Sequence, residues 1–168
     1  DKFSQSVNLN GLQDTIIPHN IAVGNTHANA YIVYDTSDIG TGYLITDASK
    51  LSEVRAPWVY KEIPVTPLID ALPKELTKVD VLRMDIEGSE FMVLMGAKHL
   101  IENNPKLVIV TEWDNRYLQR YGKVEDLVSY LSEQKFRFWG IDKGGLQEMS
   151  ADEMISAASP KDVVISRE

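Results

Sequence analysis

The chain contains no cysteine, which excludes disulfides, thiolate catalysis and every cysteine-based zinc or iron–sulfur site. No apolar stretch approaches the roughly 18 residues needed to cross a bilayer. The segment opening at Asp1 is polar and mixed, unlike a signal peptide. Basic side chains are the minority, with 17 Lys and Arg against 25 Asp and Glu and a formal charge of −8. A pI near 4.9 argues against a general nucleic-acid binder, because such proteins neutralise phosphates with clustered Lys and Arg. Neither a Gly-x-Ser-x-Gly elbow nor a P-loop is present, which disfavours serine-hydrolase and P-loop chemistry. His19, His27 and His99 have no metal-binding spacing. What is present is 168 residues, 43% of them hydrophobic, enough for one domain with a real core. A soluble, cytoplasmic globular protein is expected, with no nucleic-acid partner and no membrane span.

Strand and helix patterns alternate along the chain. Leu107-Val108-Ile109-Val110 is a continuous apolar run, the pattern of a strand buried on both faces of a parallel sheet. Val79 to Met84 is nearly as apolar and ends at Asp85. Phe91, Leu94, Met95 and Lys98 sit at helical spacing, which predicts one amphipathic helix over residues 88–100. Val124, Leu127, Val128 and Leu131 repeat at i, i+3, i+4, i+7 and predict another. Strands are expected near Phe136 to Ile141 and Asp162 to Ser166, separated by a turn at Asp142 to Gly145 and a short helix at Ala151 to Ser156. The first third reads as a strand over Thr15 to Val23 interrupted by Pro18, a strand over Ala30 to Tyr34, a hairpin through Gly40-Thr41-Gly42 to Ile45, and a short helix over Leu68 to Leu72. This order predicts an α/β fold on a mostly parallel sheet with an antiparallel closing strand.

Open α/β sheets bind ligands outside the carboxyl ends of their strands. The Val79 strand ends in Asp85-Ile86-Glu87-Gly88, the Leu107 strand in Thr111-Glu112-Trp113-Asp114-Asn115, and the first strand lies near His19-Asn20-Ile21-Ala22. Together these polar strand ends predict a cleft. The bland alternative is that Glu87 and Glu90 fill a first helical turn, where the helix dipole favours negative charge. Trp113 could stack on a ligand ring or simply pack beneath the sheet.

The stretch Val79-Asp80-Val81-Leu82-Arg83-Met84-Asp85-Ile86-Glu87-Gly88-Ser89-Glu90, with Leu94-Met95-Gly96-Ala97 after it, resembles the central motif of the FkbM family of S-adenosylmethionine-dependent methyltransferases. Asn20 to Gly24 is similar to the family's segment after its third strand, and Val65 to Asp70 to the segment leading into the fourth. Val108 to Glu112, Phe136 to Leu146 and Pro160 to Arg167 resemble the strands that follow. Arg83 stands where the family usually has lysine. The resemblance implies a class I, Rossmann-like three-layer sandwich over residues 1–168. It also implies S-adenosylmethionine as cofactor, and O-methylation of a small-molecule or glycan hydroxyl. By the same likeness Asp85 and Glu87 are the catalytic candidates, and Asn20, Ala22 and Asp85 the cofactor contacts.

The family's glycine-rich loop after the first strand, and its acid after the second, have no counterpart here. Gly40-Thr41-Gly42 leads into the strand-like Tyr43-Leu44-Ile45 and reads as a turn. The chain therefore reads as the carboxy-terminal part of a methyltransferase domain, lacking the first two strands. Weak cofactor binding by this part alone is expected, with an open apolar strand edge at Val79 that invites self-association. A hydroxyl acceptor needs its proton removed, which a carboxylate can do. The alternative is a Mg²⁺ ion on Asp85, Asp114 and Asn115, as in catechol-type O-methyltransferases, although Asp-Asn pairs after strands are ordinarily turn residues. The rival from another class is a non-catalytic binding or assembly module that has lost its cofactor loop.

Overall fold

A computed structural model describes residues 2–38, 42–86 and 88–167. Helix α1 (Lys2–Leu9) leads into a four-stranded sheet built from β1 (Ala22–Gly24), β2 (Ala28–Asp35), β3 (Tyr43–Ile45) and β4 (Trp58–Pro67), in the order β1-β4-β2-β3. A 3₁₀ helix, Ala48–Glu53, stands between β3 and β4. The short helix α2 (Leu68–Ala71) follows β4. The second sheet holds β5 (Val81–Met84), β6 (Val108–Trp113), β7 (Arg137–Asp142), β8 (Gly145–Met149) and β9 (Lys161–Ser166), in the order β5-β6-β9-β7-β8. Helices α3 (Glu90–Gly96), α4 (Lys98–Asn103), α5 (Asn115–Leu118), α6 (Val124–Glu133) and α7 (Ala151–Ser156) connect its strands.

The mostly parallel single sheet expected from the sequence is corrected to two mixed sheets. Only β1 with β4 and β5 with β6 pair in parallel, and the other five ladders are antiparallel. One cause lies in a connection: β7 and β8 are joined by a short turn, which permits only antiparallel neighbours. On β6 the burial alternates. Ile109, Thr111 and Trp113 are buried while Val108, Val110 and Glu112 are partly open, so one face is covered more fully than the other.

The core lies on the second sheet. Ile109, Trp113, Phe138, Val163 and Ile165 from its strands join Leu94, Ile101, Leu118, Leu127, Leu131 and Met154 from its helices in one cluster. In α6 the buried residues Val124, Leu127, Val128 and Leu131 form the anticipated stripe. A capping box, in which Ser150 and Glu153 satisfy each other's backbone N–H groups, starts α7. The single helix predicted over 88–100 is two helices, divided at Ala97. Gly96 sits immediately before that break, pressed against β1: a Cβ there would lie 2.6 Å from the Asn25 Cα and 2.9 Å from the Gly24 carbonyl oxygen. Val23 of β1 packs on the same core, so the first sheet is seated on α3.

The strand expected over Thr15 to Val23 shortens to Ala22–Gly24, and β4 and β8 arise where no strand was predicted. Gly40 and Thr41 of the Gly-x-Gly lie outside the described residues. Among those residues β5 and β1 each have a partner on one side only, and Val81 of β5 is exposed.

Candidate functional site

The carboxyl end of β5 organises the site. Asp85 follows the strand directly, and its Oδ2 accepts a hydrogen bond from Arg83 Nη2 at 2.9 Å while about half of its side chain stays open to solvent. Gly88 turns the chain with φ of 94°. The turn lies so close to α5 that a Cβ on Gly88 would stand 2.4 Å from the Tyr117 Cβ and 3.2 Å from its backbone. Glu90 then folds back toward the turn it follows. Its carboxylate is buried, and Oε1 accepts the Ile86 N–H at 3.0 Å. Burial pushes the Glu90 carboxyl up from its ordinary value, against the pull of the Ile86, Glu90 and Gly88 N–H groups, and the nearby Asp85 pushes the same way. Glu90 thus holds the loop from which Asp85 projects. Reading it only as an acid favoured by the helix dipole missed this role, which depends on its burial in the fold.

A cavity of about 290 Å³ opens beside this turn. Ala22 and Val23 of β1, Tyr43 and Leu44 of β3, and Asp85, Ile86 and Ser89 line it together with Ile21, Ile32 and Ile63. Ala22 and Asp85, predicted from the sequence as cofactor contacts, therefore come together. Asn20 is exposed and is not among the lining residues. Glu87 lies outside the described residues. Ser89 was not singled out by the sequence, yet it is 1% exposed and among the described residues its hydroxyl has no hydrogen-bond partner.

Asp114 and Asn115 have other partners. Asp114 caps α5 by accepting the Arg116 N–H at 3.0 Å, and it receives Arg116 Nε and Nη2 as well. Those hydrogen bonds hold its carboxyl below the usual range although burial opposes them. The Asn115 amide donates to the carbonyls of Met154, Ile155 and Ala157 and ties α5 to the end of α7. Asp114 is engaged by Arg116 and the Asn115 amide nitrogen by the end of α7, whereas Asn115 Oδ1 is buried with no hydrogen-bond partner among the described residues; among those residues no group of three His, Asp or Glu side chains could hold a metal. Trp113 is fully buried and donates to the Met154 carbonyl, so it packs rather than stacks on a ligand. His27 pairs with Asp70 at 2.9 Å on the surface, while His19 and His99 are exposed.

A larger cavity, about 540 Å³, adjoins the first across Tyr43 and Leu44. Thr46, Asp47, Lys50 and Glu53 line one side and Arg120 and Tyr121 another. The Tyr121 hydroxyl donates to the Leu44 carbonyl at 3.3 Å and fastens the segment after α5 to β3.

A family model described as the Methyltransferase FkbM domain matches residues 4–138. No curated protein and no solved structure matches the chain.

Proposed function

Since the chain belongs to the FkbM methyltransferase family, we infer that it serves transfer of a methyl group from S-adenosylmethionine to the oxygen of a small-molecule or glycan hydroxyl. The observation that carries this reading is the cavity that joins Ala22 and Val23 of β1 to Asp85 and Ser89 beyond β5. The residues present fit part of the cofactor: apolar walls from Ile21, Val23, Ile32, Leu44 and Ile63 suit a flat ring, and the half-exposed Asp85 carboxylate suits a polar atom of the ligand. Bound there, S-adenosylmethionine supplies a methyl carbon made electrophilic by its sulfonium.

The chain's own residues would do three things. Ala22, Ser89 and Asp85 would hold and orient the ligand, and fixing the reacting atoms in line is the larger part of such catalysis. Asp85 would take the proton of the acceptor hydroxyl; its half-exposed carboxylate is reachable, and the Arg83 contact fixes its direction. Glu87 is the second carboxylate of the motif and the other candidate base. Glu90 would keep the turn in shape from below. Asp114 and the Asn115 amide nitrogen are engaged by Arg116 and α7, and the proton transfer proposed here rests on the carboxylates alone.

The one-sided edges of β1 and β5 support a class I, Rossmann-like sheet in which further strands lie between them. Such strands would bring the glycine-rich loop that holds the methionine portion. The test is methyl transfer from labelled S-adenosylmethionine to a panel of hydroxylated acceptors. Asp85→Asn should lower turnover by at least about 100-fold, the usual contribution of a general base. Turnover unchanged in Asp85→Asn would remove Asp85 from the mechanism.

A further inference from the structure

The larger cavity has no role in the reading above, yet it shares the Tyr43–Leu44 wall with the smaller one. We propose that it is the acceptor subsite and that it takes a glycosyl unit, a ring carrying several hydroxyls; this rests on the methyltransferase reading only for the direction of transfer.

The lining decides the class. Glu53 offers an acceptor, Lys50 and Arg120 offer donors, and Tyr43 and Tyr121 offer aromatic faces with polar tips. Asp47 is engaged in capping: its carboxylate accepts the Ser49 N–H at 3.0 Å and the Ser49 hydroxyl at 2.7 Å. A sugar hydroxyl donates and accepts at once, so it can satisfy Glu53 and a cation together. A purely anionic ligand would meet Glu53 and Asp47 in the same cavity, on a chain whose net charge is already −8. A plain aryl ligand would strip water from Lys50, Glu53 and Arg120 without replacing it, which is costly. Neither alternative matches a wall of mixed sign.

The cavity is also preorganised. The Tyr121–Leu44 hydrogen bond sets its width, the Tyr43 ring packs on Trp58 with centroids 5.8 Å apart, and the Arg120 guanidinium lies 4.4 Å over the Tyr117 ring. Tyr117 is the residue against which Gly88 is pressed. Arg120 and the Asp85 turn are therefore braced on one side chain, which keeps the two cavities in register.

Amide chemical-shift mapping of the ¹⁵N-labelled chain tests this without turnover, using methyl hexopyranosides as probes and catechol as control. Shifts at Tyr43 to Val54 and at Arg120 and Tyr121 are expected with the glycosides and not with catechol. Glu53→Gln and Lys50→Gln, both at exposed positions, should each weaken glycoside binding by roughly tenfold, the value of one hydrogen bond to a charged group. Catechol shifting these amides as strongly as the glycosides, glycosides shifting none of them, or both variants binding as the wild type would each overturn the assignment. Glycoside binding without any methyl transfer would retract the reaction and leave this subsite standing. Methyl transfer to catechol with no glycoside binding would retract the subsite alone.

Discussion

Replacing Gly88 with alanine perturbs two things at once. The first is backbone conformation: at φ of 94° any side chain is strained, at a cost of roughly 1–3 kcal/mol. The second is space, because the new methyl would stand 2.4 Å from the Tyr117 Cβ, and 3.2 Å from backbone that cannot rotate away. Overpacking of that kind adds roughly another 1–3 kcal/mol. Gly145 separates the contributions, since its φ is 105° but nothing lies within 4 Å of a Cβ built there. Gly145→Ala should therefore cost about 2 kcal/mol and Gly88→Ala about 4 kcal/mol. At about 2–4 °C per kcal/mol for a domain of this size, the melting point should fall by roughly 4–8 °C and 8–16 °C respectively. Thermal unfolding followed by circular dichroism measures both. If Gly88→Ala melts with Gly145→Ala, the close approach of the Asp85 turn to α5 carries no energy and the bracing argument is wrong.

Glu90→Gln keeps an acceptor for the Ile86 N–H but removes the titration. Burial holds the Glu90 carboxyl above its ordinary 4.5, so its contribution to stability is full below that value and is lost as pH rises through the folded-state value. The wild type should lose stability relative to Glu90→Gln as pH is raised from 4.5, and denaturant midpoints that diverge the other way would refute the assignment. Asp114 titrates with the opposite sign: Arg116 depresses its pKa, so its contribution is present above the ordinary 3.8 and fades as pH falls below it. Acid unfolding of Asp114→Asn should accordingly be shallower than that of the wild type. Asn115→Ala strips the carbonyls of Ile155 and Ala157 of their donor and should cost about 2 kcal/mol by urea titration. Addition of EDTA should leave methyl transfer unchanged; loss of activity restored by Mg²⁺ would return a metal to the site.

The parts legible in the sequence are those with an uninterrupted period. The α6 stripe, the apolar β6 run and the short helix α7 were each legible in the sequence, and Asp85 was singled out because strand ends face the ligand side of such sheets. β4 was not found because Pro64 and Pro67 and the charges of Lys61 and Glu62 disguise it. Its pairing explains the tolerance. β1 covers only Val65 to Pro67, so residues 58–64 have β2 alone as neighbour, and proline is accepted where one side of a strand is open. The larger cavity was equally hidden, since Lys50 and Arg120 are 70 positions apart and meet only through the fold. Ser89 carried no sequence signal; the fold buries its hydroxyl with no partner among the described residues.

Titration of the ¹⁵N-labelled chain with S-adenosylhomocysteine, the stable demethylated form of the proposed cofactor, bears most directly on where this molecule works. Binding weaker than micromolar is predicted, because the described residues supply the Asp85 side of the pocket but no glycine-rich turn for the methionine portion. The amides that shift should be those of Ala22, Val23, Asp85, Ile86 and Ser89. Shifts confined to other parts of the chain would contradict the account.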